Sequence, residues 1–102
     1  MELFTQEQHD KLLENGRQRG KDHAPVVKLF TPDAGWTWLL SEIDPEEPDN
    51  AFGLCDGGMG FPELGPVSLS ELRGLRGASD MAVERDILFD GEYPLSVYAE
   101  AA

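Results

Sequence analysis

The stretch from Thr31 to Glu71 constrains the fold more than any other part of the chain. It holds both tryptophans, an acidic Pro-rich turn, the lone cysteine and a Gly-rich loop, and these turn signals divide it into short extended runs. Val26 to Phe30 is rich in β-branched and apolar residues, and Thr31, Pro32, Asp33, Ala34, Gly35 read as a turn into a second strand, Trp36 to Ile43. Trp36, Trp38 and Leu40 fall on one face of that strand, and the two runs make a hairpin. Asp44 to Asn50 carries two prolines that remove ladder donors, so an exposed acidic turn is expected there. Ala51 to Asp56 reads as a third, central strand. The four glycines and two prolines between Gly57 and Pro66 predict no regular element in that segment.

The flanks read as helix, loop and strand. Thr5 and Gln8 have capping-box spacing, and His9, Leu12 and Leu13 form an inward stripe that ends at Asn15 and Gly16. Gly16 to Pro25 is a loop bearing Arg17, Arg19 and Lys21. Ser68 and Glu71 repeat the capping spacing before Leu69, Leu72 and Leu75, which predicts a short helix over Ser70 to Arg76 that stops near Gly77. Val83 to Phe89 alternates like a strand with one wetter face, and Pro94 suits the first position of a terminal helix with Leu95 and Tyr98 inward. The expected fold is α+β: one domain, a mostly antiparallel sheet of four or five strands, packed with an N-terminal helix and short later helices. Leu12, Val27, Leu29, Trp38, Leu40, Phe52, Leu54, Leu72 and Ile87 are its expected core.

Charge is the unusual compositional quantity. The net formal charge is −12, and residues 29 to 102 carry fifteen acids against Arg73, Arg76 and Arg85. Such a field repels phosphate backbones and disfavours a direct grip on DNA or RNA, whereas it steers encounters with a basic partner. Cys55 stands alone, so it forms no intrachain disulfide and no thiolate cluster, and a reducing cytoplasm is the expected setting. Met1 to Asp10 lacks the basic head and apolar run of a signal peptide, and no apolar run is long enough to span a membrane.

The runs Val26 to Asp33, Thr37 to Leu40, Ala51 to Asp56, Gly58 to Gly65 and Val67 to Leu69 resemble a small bacterial family catalogued only as a domain of unknown function. The resemblance covers Leu12 to roughly Tyr98. It implies a habitat, plasmids and conjugative or related mobile DNA, sometimes beside antirestriction-type genes, and no reaction.

Each chemical motif has a plain structural alternative. Cys55 as a nucleophile needs a base, yet the only histidines are His9 on the first helix and His23 in the loop, and the adjacent Asp56 opposes a thiolate. Asp56 and Glu63 flank the Gly-rich loop as a candidate acid/base or cation pair, but Asp56 equally caps a turn, and neither spacing matches a metal loop. Asp44, Glu46, Glu47 and Asp49 lack the fixed Gly and closing Glu of a calcium hand. Gly58 and Gly60 lack the following Lys of a phosphate cradle. Met59 and Phe61 either fill the core or project as an apolar knob, and composition favours the core. Trp36 and Trp38 beside Arg17, Arg19, Lys21 and Lys28 suggest single-strand stacking, against which the acidic remainder works.

The expectation is therefore a non-enzymatic interaction protein with no cofactor and no metal, acting through Asp44, Glu46, Glu47, Asp49, Met59, Phe61 and Glu63. Its partner is a protein with a basic surface, a host nuclease complex of defence in the manner of antirestriction or anti-CRISPR inhibitors. The alternatives are a small hydrolase centred on Cys55, Asp56 and Glu63, and a single-strand-binding accessory factor.

Overall fold

The structure, a computed structural model, describes residues 2–58 and 60–101. Helix α1 (Gln6–Gly16) starts as its spacing predicts: Thr5 Oγ1 accepts from the Gln8 N–H at 3.1 Å, and Gln8 Oε1 accepts from the Thr5 N–H at 2.9 Å. Leu12 is fully buried, and His9, half-buried, stacks on Phe4. Asn15 and Gly16 do more than end the helix. Asn15 Nδ2 donates to the Ser41 carbonyl at 2.9 Å, and a Cβ at Gly16 would lie 1.8 Å from the Ile43 carbonyl oxygen. Only glycine allows this helix end to lie against the strand below it.

Among the described residues, β1 (Val27–Phe30), β2 (Thr37–Ile43), β3 (Asn50–Asp56), β4 (Glu63–Ser68) and β5 (Glu84–Arg85) form one antiparallel sheet in the order β4-β3-β2-β1-β5. The β1–β2 hairpin is as expected. Its turn is closed by Thr31, whose N–H reaches the Trp36 carbonyl at 2.9 Å while its Oγ1 accepts from the Trp36 N–H at 3.0 Å. Trp36 thus belongs to the turn rather than to the strand, and it is 45% exposed where Trp38 is buried. In β2, Leu40 pairs with Gly53 and Glu42 with Phe52, so Ser41 is an extra residue and the inward phase passes from Trp38 and Leu40 to Ile43.

The Gly57 to Pro66 segment differs from the expectation, because its last residues enter β4. This strand pairs with β3 alone, and at such an edge Pro66 leaves no ladder bond missing in the sheet interior. Helix α2 (Leu69–Gly74) is capped by Ser68, whose Oγ accepts from the Glu71 N–H at 3.3 Å, and it ends before Arg76. The predicted strand Val83 to Phe89 shrinks to Glu84–Arg85. Asp86 ends it: its Oδ1 accepts from the Leu88 N–H at 3.0 Å and its carbonyl from the Phe89 N–H at 3.3 Å. The resulting turn turns Ile87 out of the core, where it was expected, to 75% exposure. Helix α3 (Leu95–Ala101) follows Pro94 with Leu95 buried and Tyr98 half-buried.

The main core lies between the sheet and the side carrying α1 and α2. There Leu12, Val27, Leu29, Trp38, Leu40 and Leu72 join Leu3, Phe4, Ile43, Ala51, Val67, Leu69 and Val83. Leu54 is buried too, but it alternates with Cys55 and so faces the other way, where α3 approaches β3. Phe52 shares that phase and is 37% exposed, a correction to its expected place in the core. A seven-residue helix covers only part of the second sheet face.

Candidate functional site

The acidic turn between β2 and β3 divides into acids that hold the fold and acids that face out. Asp44 accepts from Arg19 at 2.8 Å through one oxygen and from the Glu46 N–H at 2.9 Å through the other. Asp49 caps α2 from a distance. Its carboxylate accepts from Ser70 N–H at 2.8 Å, Ser68 Oγ at 2.9 Å and Ser70 Oγ at 3.0 Å, and its carbonyl takes the Leu69 N–H at 2.9 Å. Hydrogen bonds from Ser68 and Ser70 hold its carboxyl below the usual carboxylate value. Asp22 does the same for α3 through the Ser96 side chain and N–H, which lower its pKa in turn. Glu46 and Glu47 are exposed and have no side-chain partner among the described residues.

The Gly-rich loop presents Phe61 to solvent at 79% exposure, so the aromatic projects rather than filling the core. Gly58 and Gly60 have φ values of 76° and 81°, a backbone suited to glycine. Asp56 Oδ1 accepts from the Gly58 N–H at 2.8 Å and closes the turn that leads into the loop. Met59 lies outside the described residues. Glu63 pairs with Cys55 across β4 and β3 and is exposed.

A cavity of about 230 Å³ opens between the end of the sheet and α2. Trp36, Trp38, Cys55, Glu71, Leu72 and Leu75 are prominent in its walls. The two indoles lie 5.9 Å apart between centroids, tilted at 58°. Burial and then the charge of Glu63 push the Cys55 thiol pKa up, which keeps it protonated and weakly nucleophilic at neutral pH. Neither His9 nor His23 lines this cavity; His23 Nε2 instead pairs with the Gln18 carbonyl at 2.9 Å. A neighbouring cavity of about 340 Å³ shares Trp36 and Leu75 and adds Arg76.

The structure therefore brings Cys55 and Glu63 together, sets Asp56 to turn closure, and adds Glu71 and Leu75, which the sequence reading did not single out for a site. Glu71 carries no local signal for this role because its wall forms only when α2 packs back against the end of the sheet. The basic residues are placed apart from the tryptophan cavity. Arg19 is held by Asp44, Lys21 donates to Gln18 at 2.7 Å, and Lys28 lies 4.0 Å from Asp86. Among the described residues, no three or more His, Cys, Asp and Glu side chains gather as a metal set, and no helix is long and apolar enough to cross a membrane.

No curated protein and no solved structure matches the chain. One family model does, described as "Protein of unknown function (DUF2958)", and it spans residues 3–102. With nearly its whole length matched, including both walls of the tryptophan cavity and the acidic turn, the chain belongs to that family of proteins of unknown function.

Proposed function

We propose that the chain is a small, non-enzymatic binding module that occupies a basic surface on a partner protein, in the manner of a nucleic-acid mimic. One observation carries this reading: fifteen acids face three bases after Lys28, and within that field Glu46 and Glu47 stand exposed on a turn whose other acids, Asp44 and Asp49, anchor it. A turn pinned at both ends presents its outward charges with little ordering cost on binding. Phe61 projects from the β3–β4 connection, at the opposite end of β3 from the acidic turn, and supplies a separate apolar contact of the kind found at interface centres. The habitat implied by the resemblance, mobile DNA, supports a partner that handles nucleic acid, a host defence nuclease or its assembly. A protonated Cys55 and an Asp56 spent on turn closure favour binding over hydrolysis at that end of the sheet.

The test is capture from a bacterial host that carries the gene, followed by competition. A captured partner is expected to bind a DNA or RNA oligonucleotide, and the chain is expected to displace that oligonucleotide. A partner that holds oligonucleotide and chain together without mutual loss of affinity contradicts the reading.

A further inference from the structure

The tryptophan cavity has a shape and a charge that the acidic turn does not explain. We propose that it receives one arginine side chain of the partner, stacked against the indole of Trp36, with the buried Trp38 behind it and its guanidinium directed to Glu71. The proposal rests on the reading that the partner surface is basic and names the contact that such a surface makes.

Size comes first. A space of about 230 Å³ is small beside the roughly 300 to 1,000 Å³ of ordinary small-molecule pockets, and it suits a single inserted side chain. Its walls combine the half-exposed indole of Trp36 and the buried Trp38, tilted at 58° to it, with the aliphatic Leu72 and Leu75. An indole face attracts a cation, and a planar guanidinium also stacks on it, which an ammonium does not. Trp36 is available for this, since it is 45% exposed at the mouth and its backbone is fixed by Thr31.

Charge gives the direction. Glu71 lines the cavity, and Glu63 pairs across the strands with Cys55, which also lines it, so carboxylates lie at and beside the cavity. Arg73 and Arg76 are the cations on and just after α2. Arg76 lines the neighbouring cavity and donates to the carbonyls of Leu75 and Arg73 at 2.9 and 3.2 Å, which ties its guanidinium to the end of α2. Among the described residues neither arginine forms an ion pair with Glu71, which leaves its carboxylate for an incoming one.

The chain has two tryptophans and both line the cavity, so intrinsic fluorescence reads the site without a label. The probes are a blocked tripeptide, acetyl-Gly-Arg-Gly-amide, its citrulline counterpart, which has nearly the same shape without the charge, and a norleucine counterpart. The arginine peptide is expected to shift the emission saturably and to bind about tenfold more tightly than either neutral peptide. Glu71→Gln, at an exposed side chain, is expected to remove most of that preference by bringing the arginine affinity down toward that of the citrulline peptide. Equal affinity for the three peptides, no saturable shift, or indifference to Glu71→Gln overturns the proposal. Trp36→Leu, with folding checked by circular dichroism, is expected to abolish the arginine preference, and retention of it also overturns the site. Failure of the peptide beside a partner association that stays salt-dependent removes the pocket alone. Specific arginine binding beside a partner that lacks a basic surface supports the pocket and removes the reading of the partner.

Discussion

At the scale of single residues, the acids of this chain have separate tasks that composition cannot distinguish. Asp49 and Asp22 each satisfy N-terminal N–H groups of a short helix far along the chain, and both carboxyls sit below the ordinary value of 3.8. A lowered folded-state pKa means that their contribution is fully present above 3.8 and is lost as the pH falls below it toward the folded values. Asp49→Ala is therefore expected to lower the melting temperature at neutral pH, with the gap to the parent closing in acid, whereas Glu47→Gln leaves the melting temperature unchanged. Cys55 offers a second test. Removing the Glu63 charge relieves the penalty on the thiolate, so Glu63→Gln is expected to lower the thiol pKa and to speed labelling by a thiol-reactive disulfide at pH 8. Labelling that is already rapid in the parent at neutral pH contradicts the inert thiol.

At the scale of elements, what was legible in the sequence is what local chemistry decides. The Thr5 and Gln8 capping box, the β1–β2 hairpin with its Thr31 to Gly35 turn, and the acidic break after β2 all follow from neighbouring residues. The bulge at Ser41 was not legible, because it is stabilised by Asn15 from a different element. Nor was β4, since proline and glycine are tolerated at an edge where few ladder bonds are required. Ile87 was misplaced because alternation reads the same in a strand and in a turn closed by Asp86. The candidate site suffers most from this: Trp36 and Glu71 become neighbours through packing alone. Two substitutions test the packing. Leu54→Ala, on the face under α3, is expected to cost about 2 to 5 kcal/mol in denaturant unfolding. Asn15→Ala leaves the Ser41 carbonyl without its side-chain donor in a buried setting and is expected to cost about 1 to 3 kcal/mol.

At the scale of the whole molecule, a net charge of −12 on 102 residues governs how the protein meets others more than how it folds. Exposed charges contribute little to stability, so neutralising Glu46 and Glu47 together is expected to leave unfolding unchanged. Their effect belongs to encounter. Surface charges act over roughly 10 Å at 0.1 M salt and over shorter distances as salt rises. The most direct measurement is the association rate of the chain with its captured partner as ionic strength is raised, for the parent and for Glu46→Gln combined with Glu47→Gln. The rate is expected to fall steeply with salt in the parent, and the double variant is expected to be slower at low salt and to converge with it at high salt. A rate that is the same for both proteins and flat across ionic strength contradicts the acidic-surface account.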